Sequence, residues 1–271
     1  MRCTRPVLER CKTGPIEIIE RPCGVCPACR ASKAQEWTYR IYAESKLHTK
    51  LAFVTLTYDD EYIKRLRLSP TGIYSLDKKE LQDFNKRLRK NISRRIRFYA
   101  VGEYGDRTRR PHYHGIYFGV SPADRPIIEA CWKFGFVSVD SVTPASIAYV
   151  ARYCVKKLKD SGIDYAFEQI EPEFALKSLK PGIGFNAIEK GVRRSKDGSM
   201  FCWYQGKRVA VPAYFKKKLR DSFDWYIARL RADSERESRI ADFERSGRCQ
   251  EDEWLQSERN RKARTSVRCK I

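Results

Sequence analysis

Between Leu51 and about Leu158 the chain alternates segments of strand period with segments of helix period, and this order restricts the fold more than any other feature. Leu51-Ala-Phe-Val-Thr-Leu-Thr-Tyr58 is β-branched and aromatic and reads as a strand. Asp77 and Glu80 form a capping-box-like helix start, after which Leu81, Phe84, Leu88 and Ile92 recur at helical spacing. Residues 96–102 and 111–118 read as two further strands, joined by a basic, turn-like link over 106–110. A short helix over 124–134 precedes a fourth strand, 136–142. Thr143-Pro144, an N-cap followed by proline at the first helical position, opens a helix running to about Leu158. The order β-α-β-β-α-β-α, with a hairpin in its middle, predicts an α+β fold: an RRM-like antiparallel sheet of about four to five strands, covered by helices on one face.

The flanks carry weaker signals. Residues 1–30 hold Cys, Pro and Gly without periodicity and read as a compact knuckle, followed over 31–50 by a helical stripe of Ala34, Trp37, Ile41 and Leu47. The core domain is then 31–160. Residues 161–213 read as an accessory region with a small hairpin, 200–204 and 208–211, and 214–271 as a charged, mostly helical tail.

Charge narrows the partner. Lys and Arg number 55 against 34 acids, a net charge of +21, and such an excess repels itself unless a polyanion offsets it. Nucleic acid is the first expectation. A membrane is disfavoured because no long apolar run and no signal-peptide core are present.

Histidine is scarce, at three residues, yet two of the three sit one residue apart. In a strand, positions i and i+2 project from the same face, so His112 and His114 present two imidazoles side by side while Tyr113 faces the core. Glu103, near the end of the preceding strand, comes within reach of both rings if the two strands pair. Two imidazoles and one carboxylate leave coordination positions open for water or a phosphate oxygen, as a catalytic site for Mg²⁺ or Mn²⁺ requires. On the following helix, Tyr149, Tyr153, Lys156 and Lys157 share one face, whereas Ile147, Ala151, Cys154 and Leu158 line another suited to the core. Phenols followed by lysines offer two nucleophiles and a cation beside a phosphate, provided that something activates hydroxyls whose ordinary pKa is about 10.

Cys23-x2-Cys26-x2-Cys29 brings three thiolates into tight spacing, and Cys3, with Cys11 as the alternative, completes a tetrahedral set for structural Zn²⁺; reduced free thiols are the competing reading. The basic helix residues Arg87, Arg89, Lys90 and Arg94, and Arg107, Arg109 and Arg110 in the link, are expected to contact DNA phosphates.

Three stretches in this order resemble the HUH endonuclease superfamily. Phe53-Val-Thr-Leu-Thr-Tyr58 is similar to its first motif, a strand. His112-Tyr113-His114 is similar to its histidine motif, and Tyr149-x3-Tyr153-x3-Lys157 to its two-tyrosine motif. More closely, Gly102-Glu-Tyr-Gly105, Arg110-Pro-His-Tyr-His-Gly115, Tyr149-Val-Ala-Arg-Tyr153, Pro181-Gly-Ile-Gly184 and the Cys23–Arg30 segment resemble replication initiators of small icosahedral bacterial microviruses, the gokushovirus group in particular. The resemblance covers about residues 20–215. It implies rolling-circle initiation: one tyrosine attacks the viral strand at the origin, forms a 5′-phosphotyrosine link and frees a 3′-hydroxyl, and the second tyrosine cuts after one round. It further implies that Glu103, His112 and His114 hold the divalent ion, and that Lys157 or Lys156 contacts phosphate or the leaving oxygen. Viral origin DNA, a host helicase and a host polymerase are the implied partners, in the host bacterial cytoplasm. A non-catalytic RRM-like binder of single strands would explain the charge and the strands but not the histidine pair with its upstream glutamate; a plasmid initiator or tyrosine transposase is the nearer alternative.

Overall fold

The computed structural model describes residues 3–10, 18–153, 163–196 and 199–219, together with the single helical positions 230, 234, 238, 241 and 245. The chain divides into two compact units, one of residues 1–32, 193–201 and 216–271, the other of 33–192 and 202–215. The first begins with an antiparallel hairpin of β1 (Val7–Arg10) and β2 (Ile18–Arg21), so the region is not wholly the irregular knuckle that the sequence suggests.

The long helix α1 (Pro27–Ser45) starts earlier than expected, with proline tolerated in the first turn. It also stops earlier. The Ser45 hydroxyl donates to the Tyr42 carbonyl and the chain turns, leaving Leu47 exposed rather than on the buried stripe of Trp37 and Ile41. Next come β3 (Leu51–Tyr58), α2 (Lys78–Asn91), β4 (Arg97–Tyr104), β5 (Pro111–Phe118), α3 (Arg125–Cys131), β6 (Gly135–Asp140) and α4 (Pro144–Tyr153), in the expected order. They are followed by α5 (Tyr165–Glu168), β7 (Phe174–Lys177), α6 (Ile188–Gly191), β8 (Val192–Arg194), β9 (Met200–Tyr204), β10 (Lys207–Ala210) and α7 (Ala213–Leu219).

The fold is α+β. Five antiparallel strands form the main sheet in the order β6-β3-β5-β4-β7. Helices cover both of its faces, not one, which corrects the expectation. Along β3, Ala52, Val54, Leu56 and Tyr58 point to one side, where they meet Tyr113 and Tyr117 of β5, Leu81, Phe84 and Leu88 of α2, and Ile128 of α3. The other side buries Tyr99, Val101, Ile116 and Phe118 against Trp37 and Ile41 of α1 and Ile147, Val150 and Ala151 of α4. The central strands are therefore apolar on both faces, and the run Phe98-Tyr99-Ala100-Val101 already carries that signature.

Local chemistry sets the ends of two helices. The Asp77 carboxylate caps α2 by accepting from the Lys79 and Glu80 amides, but Glu80 does not reciprocate as a capping box would. It turns inward and accepts the Tyr58 hydroxyl, which also lies 2.7 Å from the Tyr113 hydroxyl. The Thr143 hydroxyl accepts the Ser146 amide and opens α4.

One glycine is required for β6 to begin. Gly135 has φ of 146°, and a Cβ there would lie 2.3 Å from the Asp59 nitrogen and 2.5 Å from the Thr57 oxygen, backbone atoms that cannot swing aside. Gly135→Ala is expected to cost about 3 kcal/mol, lowering the melting temperature by about 6 °C or more. A thermal melt within about one degree of the parent would contradict this reading of the turn.

Candidate active site and cysteine cluster

The pairing of β4 with β5 sets Glu103 opposite His112, and all three polar side chains project toward the α1 and α4 face. Glu103 Oε1 lies 2.7 Å from His112 Nε2 and 3.1 Å from His114 Nε2, and the two imidazoles stand edge to face with centroids 4.8 Å apart. One ligand atom from each of the three residues falls within 4.8 Å of the others. The far ring nitrogens are held as well. His112 Nδ1 is 3.0 Å from the Arg110 carbonyl, and His114 Nδ1 is 2.9 Å from Thr55 Oγ1, while Phe53 stacks on the His114 ring. Such outer contacts orient metal-ligating imidazoles so that Nε2 faces the ion.

Glu103 is 2% exposed, and its Oε2 has no hydrogen-bond partner. Burial pushes its carboxyl pKa up, but the hydrogen bonds from His112 and His114 outweigh that and hold it at about 2. Burial lowers the His112 pKa, yet the bond to Glu103 and that to the Arg110 carbonyl raise it on balance. The geometry explains why. With a proton on Nδ1 for Arg110, a neutral His112 would turn a lone pair toward the carboxylate at 2.7 Å, a contact that calls for a second proton or a cation.

Tyr149 and Tyr153 meet this cluster from α4. The Tyr149 hydroxyl donates to Glu103 Oε1 at 2.8 Å and lies 3.4 Å from His114 Nε2; the Tyr153 hydroxyl donates to that of Tyr149 at 3.1 Å. Burial, the largest cause, raises both phenol pKa values, and the Glu103 charge adds to the effect; Tyr149 is pushed up to about 12 and Tyr153 further. Lys156, Lys157, Cys154 and Leu158 lie outside the described residues.

In the other unit, Cys3, Cys23, Cys26 and Cys29 bring their sulfurs within 4.8 Å of one another. Cys23 Sγ is 4.0 Å from Cys29 Sγ, and Cys26 Sγ is 3.9 Å from Cys3 Sγ. Backbone amides also point at sulfur: that of Cys23 at Cys3, of Cys26 at Cys23 and of Cys29 at Cys26. Cys11 lies outside the described residues.

Residues 51–158, which hold the cluster and both tyrosines, match the family model of the replication-associated protein ORF2 group. The chain is 32% identical over 221 residues to the replication-associated protein VP4 of Bdellovibrio phage phiMH2K, an alignment covering 76% of this chain and 67% of that one. The chain belongs to the phage replication-associated proteins. This replication-associated protein is also 30% identical over 248 residues to replication-associated protein ORF2 of Spiroplasma virus 4, covering 83% of this chain and 76% of the relative. Identity to the replication-associated protein ORF4 of Chlamydia phage 1 is 28% over 222 residues, covering 73% of this chain but 53% of the relative, about half its length. No solved structure matches the chain.

The basic residues of this replication-associated protein fall into two groups. Arg87, Arg89, Lys90 and Arg94 belong to α2 and its exit, on the sheet face opposite the histidines. Arg87 Nε donates to the Cys131 carbonyl, Arg89 lies over the Phe98 ring, and Arg94 pairs with Asp124, whereas Lys90 is exposed. Arg107, Arg109 and Arg110 lie in the β4–β5 turn, at the same sheet end as Glu103 and His112; Arg110 reaches Asp60 at 2.8 Å and the Tyr58 carbonyl at 2.6 Å. Sequence reasoning missed Thr55. Its hydroxyl sits two residues from Phe53 and shares its face, but only the pairing of β3 with β5 sets it opposite His114. Among the described residues no helix is long and apolar enough to cross a membrane.

Proposed function

We propose that this chain is a metal-dependent HUH-type tyrosine endonuclease that nicks and rejoins one DNA strand at a phage origin, starting rolling-circle replication. The observation that carries this reading is the meeting of both α4 phenols with the carboxylate and imidazoles: Tyr149 at 2.8 Å from Glu103, and Tyr153 at 3.1 Å from Tyr149. A merely structural tyrosine pair has no reason to end on a buried carboxylate between two histidines.

The donor set fits a divalent cation. Glu103 Oε2 is buried without a partner, and the contact between His112 and Glu103 calls for positive charge. Glu103, His112 and His114 would hold Mg²⁺ or Mn²⁺, which supplies Lewis-acid polarisation of a phosphate oxygen and offsets the carboxylate charge that disfavours phenolate. The chain's own groups do the rest. Thr55 and the Arg110 carbonyl fix the imidazoles, and α4 presents the nucleophile. Attack forms an O–P bond between tyrosine and the 5′-phosphate and breaks the P–O3′ bond. The phenol loses its proton, and the leaving oxygen gains one as the 3′-hydroxyl. The phosphotyrosine conserves the bond energy, so the reverse step with another 3′-hydroxyl reseals a strand. Lys157 or Lys156 would contact phosphate or the leaving oxygen, and Arg107, Arg109 and Arg110 the flanking backbone.

The four cysteines would hold structural Zn²⁺. Viral origin DNA is the substrate in this reading, with a host helicase and polymerase acting in the bacterial cytoplasm.

The test incubates the protein with end-labelled single strands tiling the phage origin, with Mn²⁺ or Mg²⁺, and resolves the products on a denaturing protein gel. A labelled band at the protein's position, absent in chelator, is expected. Binding without any adduct under all metal conditions would instead favour the non-catalytic binder.

A further inference from the structure

Phe136 is the one large apolar side chain of β6 that the sheet leaves in water. It is 70% exposed, whereas Val137 and Val139 pack on the α2 and α3 side. Phe136 therefore projects to the opposite face, that of the histidines, where the next two outward positions are the exposed, polar Ser138 and Asp140. The position does not need an aromatic ring for folding, since its neighbours on that face serve with polar groups.

Register locates the ring. Phe136 pairs with Thr57, Thr57 with His112, and His112 with Glu103, so the four residues form one row across β6, β3, β5 and β4. Two strand spacings, about 10 Å, separate Phe136 from His112. That is the reach of the nucleotides flanking a phosphate bound at the cluster. Helix α4 lies over β4 and β5, and the intervening Thr57 is half-exposed. The path from the cluster to Phe136 thus runs over a partly open sheet surface to an edge strand. Farther along β6, Asp140 accepts the Ser138 hydroxyl at 2.7 Å and sets a negative charge where a phosphate would be repelled, so the backbone is steered along the row rather than along the strand.

Resting on the nuclease reading above, we propose that Phe136 is a base-stacking platform for a nucleotide flanking the scissile phosphate, and that the site consequently takes its DNA as an unpaired strand. An aromatic ring stacks on any base once that base is unpaired, and a chain of net charge +21 supplies the attraction for the backbone.

The test measures, in chelator, the anisotropy of a dye-labelled thymidine oligonucleotide and of the same backbone without bases. The full-length protein is compared with Phe136→Ala and Phe136→Trp. The alanine variant is expected to bind the thymidine strand about tenfold more weakly and the abasic strand unchanged, with tryptophan restoring affinity. Equal affinity of parent and alanine variant for the thymidine strand would overturn the proposal. So would equal losses on both strands, or a dimer that dissociates on Phe136→Ala while binding is unaltered, since β6 would then be a protein contact. Because no cleavage is read, a chain that stacks bases but forms no adduct refutes the nuclease reading alone.

Discussion

Exchanging Tyr149 and Tyr153 together for phenylalanine is expected to abolish the covalent protein–DNA adduct while leaving DNA affinity within about twofold of the parent. The change removes one oxygen from each ring and nothing else. Both rings keep their packing, Tyr149 at 5.2 Å from the His114 ring and 4.9 Å from Tyr153, and Glu103 keeps its contacts with His112 and His114. The fold loses two hydrogen bonds, each worth about 1 kcal/mol. Chemistry loses its nucleophile, for which a drop of about 10⁴-fold or more is the usual consequence. The single variants separate the roles. Tyr149→Phe also strips Tyr153 of its acceptor, whereas Tyr153→Phe leaves the bond from Tyr149 to Glu103 in place. A denaturing gel of labelled origin strand with each variant reads the result. An adduct that survives the double exchange would show that another group attacks.

The second large effect is expected at the cysteines. Tetrahedral zinc with bonds of about 2.3 Å sets its sulfurs about 3.8 Å apart. The spacings of 3.9 and 4.0 Å between Cys26 and Cys3 and between Cys23 and Cys29 meet that requirement, and three amides aimed at sulfur are what thiolates, rather than thiols, would favour. Cys23→Ser with Cys26→Ser should therefore reduce bound zinc from about one per chain to none and open the hairpin of β1 and β2 to protease. Metal binding of this kind contributes about 10–16 kcal/mol to the folding it accompanies, so partial retention of structure is not anticipated. Metal analysis and limited proteolysis of the full-length chain check both halves. Parent protein free of zinc, or a variant with parental protease resistance, would end the zinc assignment.

What the sequence made legible depended on how local the signal was. His112 and His114 declare a shared face through the two-residue period of a strand alone, and Tyr149 and Tyr153 through helical spacing, so the structure brings together residues that each segment had already sorted. Glu103 was recoverable because β4 and β5 follow one another with a short turn, which leaves little freedom of register. Thr55 and Phe136 were not, because the row that joins them to the histidines passes through pairings between strands distant in the chain. The strand β7 is four residues long and gains its place from β4, not from its own pattern. Pro181-Gly-Ile-Gly184 drew attention only by resemblance. Its physical role is an anchor: Arg97 donates to the Pro181 carbonyl, Arg40 to that of Ile183, and the Gly184 amide to Glu44, a buried carboxylate that also holds Arg97. The coverage of both sheet faces escaped notice because α1 and α4 flank the sheet from opposite ends of the domain's sequence.

The two phenolic oxygens, 3.1 Å apart on one rigid helix, occupy nearly the same volume. A phosphorus bonded to either would fill the space in front of the other, so a second scissile bond has nowhere to sit until the first strand end has shifted. Under the proposed chemistry the helix therefore acts as a ratchet: each break is separated from the next by a displacement of the DNA, and the polymer, not the enzyme, keeps the count of completed circles.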